Sequence, residues 1–433
     1  MSDYMFMLEN HLSAEQNRAL AAVMKACADR GVSLFLTGAP IRDMIAGFPI
    51  KTLDFRIEGQ DLKFIRALAK SLHAEILETD TLRHSATVLF PGKVIGEIGI
   101  THQESFTKLG ARPQVTPGDI YADLRSRDFT INALALSLNR ASRGLLIDPT
   151  NGLGDLERRE LRTISNYVFL IEPVRLFTLY RLKVQLNLTI PERTQQQVQN
   201  AREVGVEKYI SPRALLRELL AIAETNNPGE ILQLLDQEGL SQLILPSLTG
   251  PTLNLPSFAK LQKARQLIPF GVPFEVDYAA LCFYFLTEKL SPKEKRALID
   301  RLEMDKQMAD SWLKLPARAQ KLERELQSSS LKRPSLIYFT VMKYPGEVIL
   351  YLLVRSSHRL VHDRIRNVLQ KYMLTAAEVT ETELATRGVT PDTPKFDKLY
   401  RELIAARLDA RPKRVAPPPV VESSPPVVAR KSP

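Results

Sequence analysis

Few residue patterns in this sequence could do chemistry unaided. His362-Asp363 is an HD dipeptide of the kind metal phosphohydrolases use, but no matching His and Asp stand elsewhere to complete a metal set. Gly152-Leu153-Gly154 lacks the third glycine and the preceding buried strand of a dinucleotide loop. Cys27 and Cys282 are too few for a disulfide framework, and no Cys/His cluster suggests structural zinc. Two reduced, buried thiols in a cytoplasmic protein are the expectation. RSSHRLVHDRIRNVLQKY (Arg355 to Tyr372) carries Arg355, Arg359, Arg364, Arg366 and Lys371. Such a helix face either holds RNA phosphates or is simply solvated. The most specific stretch runs from Asp123 to Asp155, DLRSRDFTINALALSLNRASRGLLIDPTNGLGD.

The chain around these residues has 433 positions, 44% hydrophobic and 25% charged, an ordinary globular composition with room for two to four domains. No uncharged apolar run approaches the roughly 18 residues a membrane span needs. The first residues, MSDYMFMLENHLSAEQ, lack the basic-then-apolar order of a signal peptide. Membrane, secreted disulfide-rich, collagen and zinc-finger classes are excluded, and a cytoplasmic location is expected. Lys and Arg number 59 against 49 Asp and Glu, a net charge of +10. That surplus favours a polyanionic partner, nucleic acid first.

Several elements must position this chemistry. Ser13 with Gln16 forms a capping box ahead of a helix with apolar residues at Leu20, Val23, Met24 and Cys27, which Gly31 is placed to end. Strands are predicted over Ser33–Thr37, Leu53–Ile57, Glu75–Leu77, Ala86–Phe90 and Val94–Ile100. Helices are predicted to start at Asp43 and to span Leu62–His73. The first 165 residues therefore read as mixed α/β. After Leu170 the periodicity is almost wholly helical, with clear amphipathic helices at Ile231–Leu240 and Lys293–Leu302. The last segment, RPKRVAPPPVVESSPPVVARKSP, is Pro-rich and basic and reads as disordered.

Asp123–Asp155, together with FLTGAPIRDMIAGFPIKTLDFRIEG (Phe35 to Gly59), resembles the head of bacterial tRNA CCA-adding enzymes and their poly(A) polymerase relatives. FLIEPVRLFTLYRL (Phe169 to Leu182) looks like the start of that family's neck and LLDQEGLSQLILP (Leu234 to Pro246) like its end. ETELATRGVTPDTPKFDKLYRELIAARLDA (Glu381 to Ala410) is similar to its C-terminal helices. The resemblance implies an α/β nucleotidyltransferase head over residues 1–165, a helical neck over 166–246, and a helical, RNA-binding body and tail over 247–411. Residues 412–433 would follow as a loose tail. It also implies a reaction, the transfer of CMP or AMP from CTP or ATP to an RNA 3′ end, tRNA first, with Mg²⁺.

The family's motifs carry roles onto this chain residue by residue. The family holds metal with two aspartates one residue apart on a strand; here the pair reads Thr52-Leu53-Asp54. The resemblance makes Asp54 and Glu97 (in IGEIGI) the metal ligands; otherwise Asp54 is a strand-end aspartate and Glu97 a solvated strand residue. Gly38 would admit the triphosphate, with Ala39 where the family has a second glycine. Arg42 would pair with phosphate, or with Asp43 across a helix start. Arg127 would reach phosphate and Asp128 the ribose, with Asn132 buttressing the turn, or these form a structural salt bridge. Glu172, Arg175 and Arg181 would face the base, or solvate one face of a neck helix.

Ser126, Ile171 and Thr178 stand where the family has Arg, Glu and Arg, and Arg213-Ala214 with Glu218 stands for its Glu-Arg-x-x-x-Glu. With Thr52 and Ala39 these departures supply the rival expectation, a catalytically silent paralogue that binds tRNA or another structured RNA. A third reading, a protein scaffold working through Pro417–Pro419 and the tail, has only that tail behind it.

Overall fold

The structure, a computed structural model, describes residues 3–108, 113–386 and 395–410. The Pro-rich segment from 412 onward and part of the Glu381–Ala410 resemblance lie outside the described residues. The described chain is an α/β region followed by helices, as the fold-class expectation required. Two compact units form: one from Met1–Gln262 with Asp277–Lys314, the other from Lys263–Val276 with Leu315–Pro433.

The first unit is organised on a sheet. Its strands are β1 (Leu34–Thr37), β2 (Leu53–Ile57), β3 (Glu75–Asp80), β4 (Ser85–Phe90), β5 (Val94–Ile100), β8 (Ala135–Ser137) and β9 (Leu146–Ile147), with β6 (His102–Ser105) and β7 (Gln114–Pro117) as a separate hairpin. The order across the sheet is β3-β4-β5-β2-β1-β8-β9. Only β2 and β5 pair in parallel; the other adjacent strands run antiparallel. One face is apolar because the residues alternate: Leu53, Phe55 and Ile57 are fully buried, each worth on the order of 1.5–3 kcal/mol. They pack with Leu20 and Val23 of the helix Ala14–Ala28 and with Ile65 and Leu68 of Leu62–Ser71. The other face carries Asp54 and Arg56.

Sequence boundaries shift where capping decides them. The helix expected from Asp43 spans Ala39–Ala46, because Gly38 caps it and Pro40 fits its first turn. Pro228 moves another start three residues earlier than expected, giving Pro228–Gln237. The Ser13 capping box forms as expected. The β6–β7 hairpin was not anticipated.

In the second unit, helices include Leu315–Gln327, Pro334–Val341, Gly346–Arg355, Arg359–Asn367 and Phe396–Asp409. Arg364 is turned inward and donates to the carbonyls of Ser328 (3.0 Å) and Leu331 (2.8 Å) after the helix Leu315–Gln327. It therefore does not join an RNA-facing row. His362 hydrogen-bonds the Ser356 carbonyl at 2.8 Å and Asp363 lies 3.7 Å from Arg359, so the HD dipeptide is spent locally. Among the described residues no single helix is long and apolar enough to cross a membrane; Pro334–Val341 and Gly346–Arg355 reach that length only as a pair bent by 107°.

Candidate functional site

The polar face of the sheet opens into a cleft of about 1270 Å³ in the first unit, above the range of about 300–1,000 Å³ usual for a small-molecule site. Strands β1, β2, β4 and β5 line it, with the turn Arg125–Asn132 and the helices Arg175–Gln185 and Pro212–Ala223. Asp54, Glu97, Gly38, Arg42, Arg127, Asp128, Asn132, Glu172, Arg175 and Arg181 all border it. Ten residues singled out from separate stretches of sequence are thus brought to one place.

Pairing in the sheet sets the floor. Parallel register puts Asp54 directly opposite Glu97 and Arg56 opposite Gly99. Arg56 Nη1 reaches Glu97 Oε1 at 2.8 Å, and its Nε lies 3.6 Å from Asp123 Oδ2. Burial opposes the Arg56 charge, but Glu97 and Asp123 outweigh it and hold the guanidinium above its ordinary value. Burial and then Glu97 push the Asp54 carboxyl up to about 6, against Arg56, a hydrogen bond from Thr52, and Arg127.

The rim is a lattice of arginine–carboxylate pairs. Arg127 donates to Asp123 at 2.9 Å, to Thr37 at 2.9 Å and to the Asn132 carbonyl at 3.1 Å. It crosses Gly38, whose backbone has φ +73°; a Cβ there would lie 2.8 Å from Arg127 Nη1. Arg42 is buried and its donors go to Asp43 (2.8 Å) and Asn132 (2.7 Å), the helix-start pairing named as the alternative to phosphate. Asp128 accepts from Phe129, Asn132 and Arg175, the last at 3.0 Å. Burial opposes its charge, yet Arg175 and these donors hold its carboxyl below the usual range.

Polar side chains brace this turn from behind. Thr130 Oγ1 donates to buried Asp155 at 2.6 Å, and Asp148 accepts from the backbone of Gly152 and Leu153.

On the helical wall, Arg175 also pairs with Glu172 at 2.9 Å, and Arg83 from the β3–β4 turn reaches Glu172 at 3.2 Å and Glu104 at 2.6 Å. Glu218 is held by Arg181 at 2.9 Å and by the Thr178 hydroxyl at 2.8 Å. Thr178 is therefore a buried hydrogen-bond donor, where the sequence suggested only a lost arginine.

Sequence reasoning passed over Arg56, Arg83, Arg125 and Arg217. The first had a signal: two residues beyond Asp54 on a strand is the same face. Arg125 also had one, standing immediately before Ser126. Arg83 is 89 residues from Glu172 in the chain and carried none.

Comparison with known proteins places this geometry. Residues 34–162 match the Poly A polymerase head domain. Over that stretch the chain is similar to the head of the tRNA CCA-adding enzyme and poly(A) polymerase family. It is 23% identical over 414 residues to an A-adding tRNA nucleotidyltransferase of Geobacter sulfurreducens, covering 93% of this chain and 46% of that relative. It is 31% identical over 229 residues to a CC-adding tRNA nucleotidyltransferase of Deinococcus radiodurans, covering 53% of this chain and 60% of the relative. The chain spans about half the length of the curated relatives it matches. A solved CCA-adding enzyme in an apo form superposes with a TM-score of 0.56 at 22% identity, covering 95% of this chain and 96% of the other. The Thermotoga maritima CCA-adding enzyme complexed with tRNA does so with 0.53 at 21% identity and the same coverage. At such identity the likeness is one of fold.

The family resemblance brings Mg²⁺ with it, but the donors here do not fit a metal pair. Thr52 offers a hydroxyl where the second strand carboxylate would be, and Glu97 is taken by Arg56. No group of three or more His, Cys, Asp or Glu is placed for a metal among the described residues. A divalent ion roughly 5 Å from that guanidinium meets about 7 kcal/mol of repulsion at an effective dielectric of about 20. Mg²⁺ at Asp54 and Glu97, expected from sequence, lacks its donor set.

Proposed function

We propose that this chain is a tRNA nucleotidyltransferase-family protein whose cleft receives CTP or ATP beside an RNA 3′ end, tRNA first. The reaction available there is the family's: the terminal 3′ hydroxyl attacks the α-phosphate, pyrophosphate leaves, and CMP or AMP remains on the RNA. The observation that carries this reading is the convergence of ten residues from separate motifs on one arginine-rimmed cleft. The relatives' names, A-adding and CC-adding tRNA nucleotidyltransferase, agree with it.

In this reading Arg42, Arg125 and Arg127 meet the triphosphate and Asp128 the ribose. Glu172, Arg175 and Arg181 present hydrogen-bonding edges to the base. Most of these groups are now paired with one another, so an incoming phosphate exchanges for a carboxylate already on an arginine. No step is routed through a metal, since the donor set does not hold one.

A second reading, binding without transfer, is favoured by one specific observation: the ion pair between Arg56 and Glu97 at 2.8 Å. The deciding experiment incubates the chain with tRNAs ending before and within CCA, with labelled CTP or ATP, beside Asp54→Ala. Extension that disappears in the variant supports transfer. Bound but unextended tRNA gives the second reading.

A further inference from the structure

We propose that the Arg56 guanidinium is the resident cation of this cleft, seated where Asp54, Glu97 and Asp123 converge, and that it keeps divalent metal out. The inference rests on the cleft being a nucleotide site, and it says what charge that site carries.

Three features show a seat made for the arginine. The first is register: Asp54 and Arg56 share a strand face, Asp54 lies opposite Glu97, and the residue opposite Arg56 is Gly99. The second is space. A Cβ on Gly99 would stand 2.5 Å from Arg56 Nη1 and 3.0 Å from its guanidinium carbon, and the Ser85 Cβ on the next strand is also 3.0 Å away. Any other side chain at 99 would fill the slot the guanidinium occupies. The third is bonding: Nη1 donates to the Phe55 carbonyl at 3.2 Å and pairs with Glu97 at 2.8 Å. Nε lies 3.6 Å from the Asp123 carboxylate, within ion-pair reach.

Charge arithmetic agrees. Asp123 already carries Arg127 at 2.9 Å, so Arg56 is left to offset Asp54 and Glu97. With the arginine in place that pair keeps at most one net negative charge, and one of its carboxylates is engaged. Mg²⁺ gives up its waters reluctantly and takes carboxylates in a near-octahedral shell. It would have to expel a guanidinium from a fitted slot. The phosphates of a nucleotide bound here are held by arginine, and its affinity does not depend on divalent ion.

The test is Mn²⁺ binding to the full chain, followed by loss of the free-ion electron paramagnetic resonance signal. Wild type is compared with Arg56→Met, which keeps volume without charge, and with Arg56→Gln, which also keeps donors should the Met variant fail to fold. The expected result is one Mn²⁺ site in a folded Arg56 variant at least about 10-fold tighter than in wild type, and lost again when Glu97→Gln is added. Equal Mn²⁺ affinity in wild type and variant overturns the proposal, as does a wild-type site that Asp54→Asn removes. CTP and ATP binding to wild type is measured alongside in Mg²⁺ and in EDTA. Affinities within about 2-fold of each other support the resident cation, and a larger loss in EDTA counts against it. Failure to bind nucleotide in either buffer removes the nucleotide reading instead, and leaves the Mn²⁺ comparison to judge Arg56 by itself.

Discussion

Arg125 is the arginine whose charge the cleft leaves open. It lines the site, is exposed, and makes no ion pair among the described residues, whereas Arg127, Arg175 and Arg181 each hold a carboxylate. Replacing it therefore removes a phosphate contact without orphaning a partner. Arg125→Ala should leave thermal stability unchanged, weaken RNA binding about 3- to 10-fold, and lower the slope of log affinity against log salt by about 1. Binding isotherms at three salt concentrations check this. Glu104 makes the opposite prediction, about folding. Burial opposes its charge, but His102 and Arg83 hold the carboxyl down to about 2 from an ordinary 4.5. A depressed acid contributes stability above its unfolded pKa and loses it as pH falls toward the folded one. Glu104→Gln should thus cost on the order of 1–3 kcal/mol at neutral pH. Urea titrations across pH should show the gap to wild type narrowing below about pH 4.5 and closing near pH 2.

At the scale of elements, the strand pair β2–β5 and the helices Arg175–Gln185 and Pro212–Ala223 decide the site. The parallel register that sets Asp54 against Glu97 also sets Arg56 against Gly99, so β5 tests the seat without touching the arginine. Gly99→Ala should push the guanidinium off Glu97 while leaving the apolar face of β5 intact. Its expected cost is about 1–3 kcal/mol for overpacking, read by urea denaturation. Glu218 joins these two helices through Arg181 and Thr178. Thr178→Val removes one donor to a buried carboxylate, and should cost about 1.5–3 kcal/mol while Thr178→Ser costs less.

These pairs also mark how far the sequence could be read. Strand β2 was legible to the residue, because Leu53, Phe55 and Ile57 alternate with polar residues. Arg56 could have been placed beside Asp54 from the same alternation, but a motif read for its carboxylates draws no attention to the arginine two residues beyond. Thr178 read as a loss because its partner Glu218 lies 40 residues away, and no local pattern shows a hydrogen bond across two helices. The helix at Ala39 was placed late because Gly38 and Pro40 are start signals that periodicity ignores.

For the whole molecule, the architecture and the charge point the same way while the chemistry of the site stands apart. An α/β head and helical remainder follow CCA-adding enzymes over 95% of this chain, and a net charge of +10 suits a polyanion. Asp148 and Asp155 brace the turns behind a cleft lined by arginines bound to carboxylates. A family fold can persist while its site changes, because packing and catalysis place demands on different atoms. The proposed function requires this cleft to receive a nucleotide and an RNA 3′ end.

The most direct measurement is equilibrium binding of tRNA with and without its single-stranded 3′ end to the full chain, with CTP and ATP titrated in parallel. Trimming the end is expected to weaken binding about 10-fold, CTP or ATP to bind, and Arg125→Ala to impair both. Equal affinity for trimmed and untrimmed tRNA, with no nucleotide bound, would contradict the proposed function.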